Sequence, residues 1–119
     1  EARRQRQMCI RDSMYTESTQ FYDVMNSGID EFKSLDEEFA TINDLVSTYE
    51  IVDIRESGFP DALDYEGNGA VVISWWVFTW KNKKSGNSAT IKQHLQHSFN
   101  EKGDIVREDY YYNQALLPK

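Results

Sequence analysis

The chain has one cysteine, two prolines and two histidines in 119 residues, and each scarcity removes a class of protein. A lone cysteine, Cys9, excludes an internal disulfide framework and any cysteine-based zinc site. No phosphate-cradling glycine loop, nucleophile elbow or metal-ligand spacing occurs, so neither a cofactor nor a metal is expected. His94 and His97 lie three apart on a predicted strand and point to opposite faces, which argues against a shared metal. Apolar runs fall well short of the ~20 residues that span a bilayer, so no membrane partner is expected. Positive charge is scarce as well. The net charge is −7, and residues 1–13 hold four arginines and two acids, leaving nine cations against eighteen anions in the body. Such a surface repels phosphate backbones and excludes nucleic acid as a partner.

The first thirteen residues, EARRQRQMCIRDS, are basic and free of aromatics, unlike everything that follows. RQRQMCIRDS resembles translated sequencing-adapter sequence. Residues 1–13 are therefore expected to be a non-native or disordered tail, with the natural N-terminus lost and the domain covering 14–119. The expected location is the cytoplasm, the alternative being a secreted protein whose signal peptide has been lost.

What the chain does have is aromatic rings: three Trp, seven Tyr and six Phe, most of them in the second half. There, AVVISWWVFTWK, SATIKQHLQHSF and IVREDYYYN read as three strands separated by glycine-marked turns. Tyr49–Arg55 is a fourth strand, and Met14–Met25 suggests a short strand, a turn and a lead-in to a helix. Ile29, Phe32, Leu35, Phe39 and Ile42 recur at helical spacing, predicting a helix over 28–42 with Ser27 and Asp30 as its capping pair. Lys33 and Glu37 are placed to pair on it, and Asp36, Glu37 and Glu38 form a solvated acidic face. Gly58-Phe59-Pro60-Asp61 breaks the fourth strand, and residues 58–68 are expected to fold Phe59, Leu63 and Tyr65 back over the sheet. The predicted fold is α+β: a strongly curved antiparallel sheet, cone-like and partly open, packed on helix 28–42.

Alternation then assigns faces. In the longest strand, Val71, Ile73, Trp75 and Val77 share one side and Val72, Trp76, Phe78 and Trp80 the other, a composition covered on both faces. Ala89, Ile91, Gln93, Leu95, His97 and Phe99 share a face, opposite Thr90, Lys92, His94, Gln96 and Ser98. A three-residue loop at Glu101-Lys102-Gly103 sets Asn100 against Asp104, which puts His97 across from Arg107 and Leu95 across from Asp109. Parity places Ile105, Arg107, Asp109, Tyr111 and Asn113 with His97, and Val106, Glu108, Tyr110 and Tyr112 on the reverse. On this register His97, Asp109 and Tyr111 are the candidate catalytic residues. His97 is the acid or base near neutral pH, Asp109 fixes its tautomer or serves as base, and Tyr111 donates to a developing oxyanion. Gln93, Trp75, Leu95 and Phe99 are the candidate ligand-binding residues around them.

One amphipathic helix followed by long antiparallel strands resembles the nuclear transport factor 2-like superfamily, particularly its SnoaL-like branch. The residues that carry the likeness are GDIVREDYYYNQALL from Gly103, GFPDALDY with Pro60-Asp61, and GIDEF from Gly28. The resemblance implies a cone-shaped sheet with a pocket in its concave side and dimerisation through the sheet. It also implies functions ranging from isomerases, cyclases and dehydratases to non-catalytic binding domains, so fold does not settle function. Two departures stand out: Asn113 replaces an Asp of the closing pattern, and the family's first long helices have no counterpart before Met14. The sequence thus supports two readings. One is a pocket for a small, largely apolar molecule, with cofactor-free acid–base chemistry of the isomerase, cyclase or dehydratase kind. The other is a binding or dimerisation module, a homodimer in the simplest case, built on the tryptophan-rich strand and the Tyr110 and Tyr112 face.

Overall fold

The computed structural model describes residues 14–28, 30–65 and 69–119; the predicted tail over 1–13 lies outside them. The elements run β1 (Tyr15–Asp23), α1 (Leu35–Thr48), β2 (Tyr49–Glu56), β3 (Asp61–Tyr65), β4 (Gly69–Asn82), β5 (Ser88–Phe99), β6 (Ile105–Tyr111) and a short 3-10 turn (Gln114–Leu116). One curved, unclosed sheet in the order β1-β6-β5-β4-β2 holds them, with β3 beside the other half of β4. This is the α+β architecture expected, with one difference at the edge. β1 is a single strand and pairs parallel to β6, setting Phe21 beside Glu108 and Asp23 beside Tyr110.

The helix begins about two turns later than its predicted start and ends later. Its N-cap is Ser34, whose hydroxyl accepts from Glu37 N while Ser34 N donates to Glu37 Oε1. That is the Ser-x-x-Glu box proper, and Ser-x-x-Asp at Ser27–Asp30 is its weaker imitation. Residues before it form a loop held by the Phe21–Lys33 bridge. Starting at Leu35 rotates the stripe. Leu35 and Leu45 pack on the core, Glu38 is buried, and Phe32 instead lies against the Tyr22 ring at 5.7 Å. The predicted Lys33–Glu37 pair is replaced by Lys33–Glu38 at 3.2 Å.

β3 corrects the expectation of a covering loop over 58–68. Asp61–Tyr65 pairs antiparallel with Gly69–Ile73, and Phe59 at the tip before it is 92 % exposed. Gly69 must be glycine. Its φ is +78°, and a Cβ there would sit 2.6 Å from the Phe99 carbonyl oxygen.

The decisive departure is at the β5–β6 hairpin. The loop closes as expected, Asn100 N donating to Asp104 O at 3.0 Å. Phe99 then pairs with Ile105, but Ser98 pairs with Arg107, so Val106 is an extra residue in β6. A bulge of one residue flips every side chain beyond it. His97 therefore faces Glu108, not Arg107, and Leu95 faces Tyr110, not Asp109. The inner face carries Trp76, Phe78, Trp80, Ile91, Leu95, Tyr110 and Tyr112 under α1 and closes with Leu117. Trp75, His94, Gln96, Arg107, Asp109 and Tyr111 lie on the outer face.

Candidate functional site

The inner face carries two groups of ionisable side chains, both built on β6. At the hairpin end, Glu108 is 3 % exposed and is met by His97 from β5 and Tyr15 from β1. The Tyr15 hydroxyl donates to Glu108 Oε1 at 2.6 Å, His97 Nε2 lies 2.7 Å from the same oxygen, and the hydroxyl and Nε2 are 3.4 Å apart. An ionised Glu108 accepts, so the 2.7 Å contact makes Nε2 the protonated nitrogen. A buried carboxyl with two donors on one oxygen is satisfied by protein partners rather than by water.

Two residues further along β6, Tyr110 meets α1. Its hydroxyl accepts from Lys33 Nζ at 2.7 Å and donates to Glu38 Oε2 at 3.2 Å, and Lys33 also reaches Thr41 at 3.4 Å. Glu38 is 6 % exposed. Burial pushes its carboxyl upward, the Lys33 charge opposes this, and the charge of Glu108 adds to it. Desolvation, with Glu38 and then Asp23 nearby, raises the Tyr110 hydroxyl strongly, and desolvation with Asp23 pushes Tyr112 up to about 12. Both phenols therefore stay protonated, and neither serves as a base. A cleft of about 480 Å³ opens beside this second group, lined by Phe21, Asp23, Ser27, Phe32 and Lys33 among others.

The bulge parts the candidate catalytic residues. His97 and Gln93 face inward with Leu95. Asp109 faces outward and is bound by Arg107, whose Nε is 3.1 Å from both carboxylate oxygens and whose Nη2 is 3.0 Å from Oδ1. Tyr111 is outward too, its ring 5.4 Å from that of His94. Neither can reach His97, and Glu108 stands where Asp109 was expected. Of the ligand-binding candidates, Trp75 lies on the outer face, 48 % exposed and stacked on His94 at 4.0 Å. Leu95 is a core residue, and Phe99 sits half-buried at the bulge. Tyr110 and Tyr112 are buried, so they cannot form the exposed aromatic face once expected of them. Tyr15, Glu108, Lys33, Glu38 and Tyr110 were missed. A signal for Glu38 was available, since reading Ser34 and Glu37 as the capping box puts Glu38 in line with Leu35, Ile42 and Leu45. Among the described residues no cluster of metal-binding side chains occurs, and no helix is long and apolar enough to cross a membrane.

No protein-family model and no curated protein matches the sequence. Solved structures do match the fold. A ketosteroid isomerase-like protein from Erwinia carotovora atroseptica shares 14 % identity over 84 % of this chain and 76 % of its own, with a TM-score of 0.64. A protein from Exiguobacterium sp. with the nuclear transport factor 2-like fold and unknown function shares 15 % over 91 % and 86 %, with a TM-score of 0.62. The chain has the nuclear transport factor 2-like fold. A Mesorhizobium loti protein described as a SnoaL-like polyketide cyclase superposes equally well, at 15 % identity over 88 % and 84 % and a TM-score of 0.65. Tyr15, His97 and Glu108 lie on the face of the sheet that carries the core.

Proposed function

We propose that the concave face is a site for a small, largely apolar molecule and that Glu108 is its acid–base group, in cofactor-free chemistry of the isomerase or cyclase kind. The observation that supports this is the Glu108 carboxylate, buried on the face that carries the aromatic core and bonded to both His97 and Tyr15. Proton abstraction beside a carbonyl needs a base shielded from water and a donor near the oxygen where charge develops. Glu108 takes the first role. His97 and Tyr15, which hold that carboxylate, are the donors that can turn to an oxyanion as the carboxylate takes up the proton. Similar solved proteins described as ketosteroid isomerase-like and as a polyketide cyclase point to the same class of reaction.

The test is deuterium uptake from solvent at the carbon next to the carbonyl in a panel of bicyclic ketones, followed by mass spectrometry. Glu108→Gln keeps the shape and both hydrogen bonds within reach but removes the base, and is expected to slow exchange about a hundredfold or more. Exchange equal in wild type and variant sinks the assignment.

A second reading is favoured by one feature, the exposed Trp75 in the middle of the outer face. A large ring in that position fits an interaction surface better than it fits solvent. The two readings use opposite sides of the sheet and do not compete.

A further inference from the structure

β1 does not run evenly beside β6. Gln20 to Asp23 keep step with Arg107 to Tyr110, but the next pair back is Tyr15 with Ile105, so Thr16, Glu17, Ser18 and Thr19 stand opposite the single residue Val106. Three residues of β1 are in excess, and they swell out of the ladder with Glu17 and Ser18 exposed. One hydroxyl closes the swelling. Thr19 Oγ1 accepts from Thr16 N at 3.0 Å and donates across to the Ile105 carbonyl, while Thr16 Oγ1 accepts from Ser18 N at 3.2 Å. Hydroxyls of this kind offer the backbone an alternative to ladder bonds, and Thr16-Glu17-Ser18-Thr19 supplies three of them. Thr19 is 1 % exposed, deeper than any residue of the apolar core.

The swelling decides where Tyr15 lies. In an even register Ser18 would face Ile105 and Tyr15 would fall opposite Lys102 in the hairpin loop, six residues and about 20 Å along the strand from Glu108. A tyrosine and a glutamate cannot bridge that distance. Taking up three residues draws Tyr15 back to Ile105, three residues and about 10 Å from Glu108. Over that span its ring leans on Phe21 at 5.2 Å, and its hydroxyl reaches Glu108 Oε1 at 2.6 Å. We infer that Thr19 is a positioning residue of the Glu108 site: its hydroxyl ties the swollen turn of β1 to β6 and so sets the Tyr15 hydroxyl on the carboxylate. This rests on the reading of Glu108 as the acid–base group, because Tyr15 bears on catalysis only through that carboxylate. Valine has the shape of threonine without the hydroxyl, so Thr19→Val removes the tie and keeps the bulk, leaving Thr16 N and the Ile105 carbonyl without this partner.

The experiment compares wild type with Thr19→Val, Thr19→Ser, Tyr15→Phe and the Thr19→Val/Tyr15→Phe pair, each checked for folding by far-UV circular dichroism. Its first part reads position, through nuclear Overhauser contacts of the Tyr15 ring with the Phe21 and His97 rings, whose centroids lie 5.2 and 6.4 Å away. Thr19→Val is expected to lose both while Phe21 keeps its contacts with the core, and Thr19→Ser is expected to retain both. Contacts intact in a folded Thr19→Val overturn the inference. Loss of them in Thr19→Ser overturns it too, by tracing the effect to the missing methyl, and this variant carries the test if the valine variant does not fold. The second part reads the rate of deuterium uptake by the bicyclic ketones. Each single substitution is expected to slow it about tenfold, and the pair no more than either alone, because both act through one hydroxyl. A pair that multiplies to about a hundredfold overturns the inference and leaves Glu108 in its role. Uptake no faster than in buffer overturns the Glu108 reading instead, and the ring contacts alone then decide for or against Thr19.

Discussion

Glu38 shows how much one side chain's position depends on where a helix starts. Counted from Ser27 it belongs to a solvated acidic face. Counted from Ser34 it turns inward, and the structure buries it against Tyr110 and Lys33. Its pH behaviour follows from the raised carboxyl, whose chief cause is burial. A group whose folded value lies above its unfolded one, here 4.5, favours the folded state in its protonated form. That contribution is complete below 4.5 and is lost as pH rises through the folded value. Wild type should therefore lose stability as pH rises above 4.5 through the raised folded value, and Glu38→Gln should flatten that part of the profile in urea unfolding. A variant with an undiminished slope would show that Glu38 is not the group responsible. His97, by contrast, was legible at this scale: alternation along SATIKQHLQHSF assigns its face without reference to any neighbour. Its partner was not, because a partner depends on register.

At the scale of the element, the strands of the second half were read with bounds close to those observed, since β-branched and aromatic runs between glycine turns leave little freedom. The bulge at Val106 left no comparable mark. GDIVRED contains nothing in its composition that separates a regular strand from one with an extra residue, because the choice is made by what each register would bury. The expected register puts Arg107 and Asp109 under α1 and turns Tyr110 and Tyr112 to solvent. The observed one buries the two rings and puts the Arg107–Asp109 pair on the outer face, where the Arg107 side chain stays exposed. Burying an ion pair in place of two aromatics is the costlier choice by several kcal/mol. Deleting Val106 forces the rejected register or breaks the hairpin. The deletion should cost more than about 3 kcal/mol, read as the loss of urea midpoint. A midpoint close to wild type would mean that the hairpin re-forms its bulge elsewhere.

Across the whole molecule, the α+β class and the curved sheet were legible from one helix period and several strand periods, and solved structures share that fold at 14–15 % identity. The pairing of β1 with β6 was not. Sequence signals for pairing are local, carried by hairpin turns, whereas this parallel contact joins Tyr15 to Ile105 without a turn between them. Its hold on the molecule is testable through Phe21, a buried ring that β1 adds to the common core. Phe21→Ala should destabilise by about 3–5 kcal/mol and, by releasing β1, raise hydrogen exchange in β6 as much as in β1. Protection of β6 unchanged by the substitution would show the two strands to be independent. The same pairing also orders events during synthesis. β1 leaves the ribosome about ninety residues ahead of the strand it lies against, the distance from Tyr15 to Ile105. At ~5–20 residues per second the wait is on the order of ten seconds, and Tyr15 and Phe21 pass it without their cover. This unit of the nascent chain is thus most open to misassociation, and most dependent on chaperones, in the interval before the β5–β6 hairpin emerges.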